Sequence, residues 1–152
     1  MIPEQEIRVS VVTVILVNAN PSEVFKYLVN LKYHFFWNPH LLSVTPMKHL
    51  KLGSVYRSES LILGMTIKGS NLVAKFVKDK ELELENQLGA IQYRINFRLS
   101  SSHSKTNITC STTIVPESKV FTYAVPILKR LAKRELQTDM QALKIAVESK
   151  LE

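Results

Sequence analysis

The sequence predicts an α+β domain: a long C-terminal helix packed on a curved antiparallel sheet of about seven strands, with two short helices after the first strand. Three observations carry that prediction. Residues 41–115 read as strand after strand joined by short turns, with no long helical period among them. After Pro116 the apolar spacing changes to three- and four-residue steps and stays there. Between the first strand and the strand run lies a helix-start signal, Asn20-Pro21-Ser22-Glu23.

The first strand spans 7–17, where β-branched residues dominate. Ile7, Val9, Val11, Ile15 and Val17 share one face, and Val12, Val14 and Leu16 make the other apolar enough to predict cover on both sides. Asn20 caps the first helix, Pro21 suits its first turn, and Glu23 favours its positive end. Val24, Phe25, Leu28 and Leu31 follow at helical spacing, and a second short helix over 33–37 stops before Pro39. Glu81, Glu83 and Glu85 alternate with Leu82 and Leu84. Ile91, Tyr93, Ile95, Phe97 and Leu99 alternate with polar residues, as do Ile108, Cys110, Thr112 and Ile114. Leu128, Leu131, Ala132, Leu136, Met140, Leu143 and Val147 then mark one face of a helix of about six turns, with 120–124 as its lead-in.

Composition narrows the function classes. A chain of 152 residues, 45% of them apolar, suits one domain over 1–152 with a full core. No apolar run reaches the ~18 residues of a membrane span. The acidic start, Glu4 and Glu6, does not read as a secretory signal, and a lone Cys110 fits a reducing, cytoplasmic setting. The net charge of +7 concentrates in 45–80, which holds seven Lys or Arg against two acids. A solvated face is the plain reading of that excess, and transient attraction to an anionic membrane surface is the sharper one. Nucleic acid is disfavoured, because Phe76 is the one aromatic beside Lys68, Lys75, Lys78 and Lys80.

A sheet wider than its one covering helix leaves a gap that large side chains or a bound molecule must fill. The expected lining is Trp37, Tyr56, Phe76, Leu84, Tyr93, Phe97, Cys110, Leu128 and Leu131. No metal or cofactor is expected. The scattered His34, His40, His49 and His103 form no ligand cluster, and same-face carboxylates at 81, 83 and 85 sit nearly 7 Å apart. The four glycines, at 53, 64, 69 and 89, make no phosphate loop. His34 and His40 read as part-exposed loop residues beside Trp37. Arg57 and Glu59 read as an outward pair, with Tyr56 inward.

The order of elements, with Ala19-Asn20-Pro21-Ser22-Glu23-Val24-Phe25, Phe36-Trp37-Asn38-Pro39 and Leu52-Gly53-Ser54-Val55-Tyr56, resembles the SRPBCC or START-like superfamily. The likeness is greatest to its polyketide cyclase/dehydrase and lipid-transport group, and Pro126-Ile127-Leu128-Lys129-Arg130-Leu131 resembles the family's closing helix. The resemblance implies a helix-grip fold, like that of the birch-pollen allergen, with an internal cavity. It leaves three functions open. One is binding, transport or sequestration of an apolar or amphipathic molecule such as a lipid, quinone or polyketide-like compound. The others are a cyclase or dehydratase using the same cavity, and a protein-interaction module without ligand.

Overall fold

The computed structural model describes residues 8–89, 91–116 and 124–152. Its elements run β1 (Val9–Val17), α1 (Pro21–Val29), α2 (Leu31–Trp37), β2 (Leu41–Thr45), β3 (Val55–Ile62), β4 (Met65–Val77), β5 (Glu81–Leu88), β6 (Ile91–Ser102), β7 (Lys105–Pro116) and α3 (Val125–Glu148). The strands form one seven-stranded antiparallel sheet in the order β1-β7-β6-β5-β4-β3-β2. This is the architecture expected from the sequence. Ile7, Phe121 and most of the expected 120–124 lead-in lie outside the described residues.

Local chemistry sets the helix ends. The Asn20 side chain accepts from the Glu23 amide at 2.9 Å, satisfying a donor that the first turn of α1 cannot bond internally. Asn30 repeats the device, accepting from the Lys32 amide at the start of α2. Trp37 closes α2, and its indole Nε1 donates to the Tyr27 carbonyl at 2.9 Å, locking the two helices together. Thr106, fully buried, donates to the Ala19 carbonyl and ties the start of β7 to the end of β1.

Register fixes which side chains face the helices. Thr13 lies opposite Cys110, Cys110 opposite Phe97, and Phe97 opposite Leu82, so these residues share the inner face. Tyr56 is buried and lies opposite the buried Asn71, which places Arg57 and Glu59 on the outer face as expected. A bulge between Val73 and Lys75 shifts β4 by one residue, so Val73 and Phe76 both face inward despite their opposite parity. On the outer face Glu81, Glu83 and Glu85 are matched by cations from Lys75, Arg94 and Arg98.

α3 lies along the free edge of β1 and runs parallel to it. Lys133 Nζ donates to the Val12 carbonyl and Lys144 Nζ to the Leu16 carbonyl, while Glu148 accepts from the Asn18 amide. The outward row Val12, Val14 and Leu16 stays 47%, 64% and 43% exposed. The expectation of cover on both faces of this strand is therefore wrong. The helix covers the inner face and the edge, and nothing among the described residues lies over the outer one.

Candidate functional site

The inner face of the sheet changes character along its strands. At the end closed by α1 and α2, Leu99 is 8% exposed, and Phe97, Leu82, Ile108 and Cys110 are wholly buried. Trp37 meets Phe97 edge to face at 5.7 Å, His34 lies 4.6 Å from Trp37, and Phe25 meets Phe76 at 5.3 Å. Toward the other end burial gives way on β6, on Ile114 and on the first turns of α3, while Val9, Leu84 and Tyr56 in the same cross-strand rows stay buried. Ile95, Tyr93 and Ile91 on β6 are only part-buried, and so are Ile114 on β7 and Leu128 and Ala132 on α3. A solid floor thus passes into side chains that solvent reaches.

Asp139 stands between these two regions, in the inward arc of α3 with Leu136, Met140 and Leu143. Its Oδ1 is buried without a hydrogen-bond partner, as is Thr13 Oγ1, and Thr13 is the cross-strand neighbour of Cys110. Such orphaned acceptors are uncommon in folded chains. Burial, and secondarily the charge of Glu135, pushes the Asp139 carboxyl up to about 8, so it is mostly protonated at neutral pH. Burial likewise pushes the Tyr93 phenol up to about 12 and raises the Cys110 thiol well above its ordinary value, and the nearby Asp139 adds to both. The inner surface is therefore apolar apart from a neutral acid, the phenols of Tyr56 and Tyr93, hydroxyls and the amides Asn71 and Asn86. Asp139 went unnoticed in the sequence, although a lone acid at helical spacing among Leu136, Met140 and Leu143 was the available signal.

The residues expected to line the interior do not form one surface. Trp37, Tyr56, Leu84, Phe97 and Cys110 are buried, and Phe76, Tyr93 and Leu128 are part-buried around them. Leu131 departs from the set and is 44% exposed. The inward arc of α3 runs through Leu128, Ala132, Leu136 and Leu143, and the 100° step per residue carries Leu131 past its shoulder. His34 also departs from expectation. It is buried within α2 with Nε2 2.7 Å from the Leu28 carbonyl, and desolvation pulls it down to about 4. His40 is part-exposed, as expected, and pairs with Glu135 at 3.0 Å. His34 also meets the inner-face Tyr56 edge to face at 6.4 Å.

Two recesses lie elsewhere. A trough of about 440 Å³ crosses the outer face between Val55, Leu72, Glu85, Gln92 and Arg94. A crevice of about 590 Å³ separates Val11 and Val12 of β1 from Pro126, Lys129, Arg130 and Lys133 of α3.

Among solved structures, the Zhui aromatase/cyclase from Streptomyces sp. R1128 is similar over 96% of this chain and 97% of its own, with a TM-score of 0.81 at 12% identity. A START superfamily protein from Mycobacterium smegmatis is similar over 92% and 97%, with a TM-score of 0.76 at 16% identity. Ara h 8.0201 is similar over 93% and 99%, with a TM-score of 0.68 at 13% identity. No protein-family profile and no curated protein sequence matches the chain. At these identities the likeness is one of fold, and the chain has the helix-grip fold of START-like proteins.

Proposed function

We propose that the interior beneath α3 binds an apolar or amphipathic small molecule, such as a lipid, quinone or polyketide-like compound. The observation that carries this reading is the loss of burial along one face of β6, from Phe97 at 0% to part-exposed Ile95, Tyr93 and Ile91. A sheet packed solid against its helix would bury all four alike. Phe97, Cys110 and Trp37 form the floor of the proposed site, with Tyr56, Phe76, Leu84, Tyr93 and Leu128 around it. Apolar contact supplies most of the affinity at about 25 cal/mol per Å² removed from water. The protonated Asp139 carboxyl orients a ligand hydroxyl or carbonyl. Native mass spectrometry of protein taken from cells, followed by incubation with a lipid extract, tests the proposal. A retained small molecule supports it, and a protein that is empty at both stages refutes it.

Asp139 also favours a second reading, a cyclase or dehydratase acting on a polyketide-like chain held in the same space. An acid titrating near neutrality can give a proton to a departing hydroxyl or polarise a carbonyl, and its conjugate base can take one back. Asp139→Asn separates the two functions. In a carrier it alters affinity alone, whereas in an enzyme it abolishes turnover of a bound poly-β-ketone while binding persists.

A further inference from the structure

The sheet register shows that the β3–β4 hairpin runs past β5. β4 keeps its pairing with β5 as far as Gly69 opposite Leu88. Beyond that point residues 65–68 of β4 leave β5 behind, while β3 keeps β2 beside it through Glu59 and Ser60 and through the Leu61 amide to the His40 carbonyl, so that the turn from Ile62 to Met65 forms the free tip of a two-stranded arm. Its tip is apolar and uncovered: Leu61 is 44% exposed, Leu63 88% and Met65 62%. Exposed apolar side chains clustered in this way mark a contact surface.

The same end of the molecule carries the start of α3. Val9 lies opposite Ile114, Ile114 opposite Tyr93, and Tyr93 opposite Asn86, so the beginning of β1 is level with the base of the arm. α3 runs parallel to β1, with Lys133 at Val12 and Lys144 at Leu16, which brings its first turns to that end as well. Residues 125–134 hold Lys129, Arg130, Lys133 and Arg134 and no acid. Ile127 and Leu131, 61% and 44% exposed, share the outward side with Arg130 and Arg134. The crevice of about 590 Å³ beside them has Lys129, Arg130 and Lys133 on one wall and Val11, Val12 and Pro126 as its apolar part.

We propose that this end of the molecule docks on an anionic lipid bilayer, with Leu61, Leu63 and Met65 entering the interface and the cations of α3 lying against the headgroups. Apolar side chains flanked by Lys and Arg are what such an interface selects. The basic run 45–80 is split between the two ends, with Lys68 on the arm opposite Glu59. Lys78 and Lys80 sit at the β4–β5 turn, beside Leu99 at the opposite end, and Lys75 is paired with Glu81. The proposal does not depend on what the interior binds.

Flotation with phosphatidylcholine vesicles, with and without phosphatidylglycerol and at low salt, provides the test. The protein is expected to float with the anionic vesicles and to stay behind with the zwitterionic ones. Leu63→Asp with Met65→Asp, and separately Arg130→Glu with Arg134→Glu, should each lower the bound fraction about tenfold or more. Lys78→Glu with Lys80→Glu makes the same charge change at the far end and should leave binding within about twofold. Leu63→Ser alone replaces the first pair where that pair fails to fold. Asp139→Asn should float like the parent protein, so failure of the cavity reading leaves this result intact. The proposal is overturned by equal binding to both vesicle types or by none. It is overturned equally if the far-end variant loses as much as the α3 variant, or if the tip variants bind undiminished. Retention on single-stranded RNA that the same substitutions remove would assign the surface to nucleic acid instead.

Discussion

At the scale of single residues, two buried titratable groups set opposite pH dependences. Asp139 has a folded value near 8 against an ordinary 3.8, so the folded state holds a proton that the unfolded chain releases between those limits. Its contribution is fully present below about pH 4 and is lost as the pH rises through 8. His34 is held near 4 against 6.5, so its neutral form favours folding above pH 6.5, and that stability is lost as the pH falls toward 4. For this fully buried imidazole the loss amounts to about 3 kcal/mol, at ~1.4 kcal/mol per pH unit. Between pH 4 and 6.5 the two effects offset each other. Asp139→Asn should remove one side of the balance, and its stability relative to the parent should grow by roughly 1–3 kcal/mol from pH 5 to pH 8, after discounting for part exposure of the carboxyl. In the same variant the acid limb set by His34 should stand alone, with stability falling from pH 6.5 to 4. Urea midpoints across that range read both slopes. A difference between the two proteins that does not change with pH would mean that Asp139 is ionised and solvated in the fold.

At the scale of elements, what the sequence discloses depends on whether a pattern is periodic or depends on a neighbour. The alternation of Ile91, Tyr93, Ile95, Phe97 and Leu99 fixes β6 without reference to any other strand, and the three-four spacing fixes α3. The bulge beside Ala74 has no such signature, because it is defined by what β5 offers opposite it, and inward Phe76 after inward Val73 is legible only in the paired sheet. The exposed row Val12, Val14 and Leu16 misled for the related reason that valine also suits a strand whose outer face is open, and single exposed leucines are common. What protects this edge is α3, whose Lys133 and Lys144 occupy two carbonyls that another strand would otherwise use. Gly69 marks the start of the overhanging arm for a steric reason. A Cβ there would lie 2.9 Å from Ser58 Oγ, 3.2 Å from Leu88 and 3.3 Å from the Gln87 carbonyl. The hydroxyl can rotate away, but the strand carbonyl cannot. Gly69→Val should therefore destabilise the fold by about 1–3 kcal/mol, the usual range for overpacking, whereas Leu63→Ser at the open tip should fall within about 0.5 kcal/mol. Comparable midpoints for the two variants would show that the arm gives way at its base without cost.

At the scale of the whole molecule, the two ends do different work. The layout of one helix over a wider sheet was legible in the order of elements. Which end is filled was not, since it depends on where α1 and α2 come to rest. They rest on β6 and β7 at the Phe97 end, where His34, Trp37, Phe97, Met140 and Leu143 are all buried. The far end keeps part-exposed Tyr93, Ile95 and Ile114, together with the β3–β4 arm, flanked by β2 along β3 and by β5 at its base. Local stability follows contact density, so backbone opening should be graded along the sheet rather than uniform. The amides of Phe97, Ile108 and Cys110, on central strands with wholly buried side chains, should exchange hydrogen only through global unfolding. Those of residues 62–67 should exchange at least ~10³-fold faster, through local opening that leaves the core intact. Denaturant should then speed exchange at Phe97 with the full slope of global unfolding and leave the arm almost unaffected. If the arm and the Phe97 end share one slope and one rate, the sheet opens as a single unit. The division into a packed floor and a yielding mouth, on which both ligand entry and membrane contact rely, would then have no energetic basis.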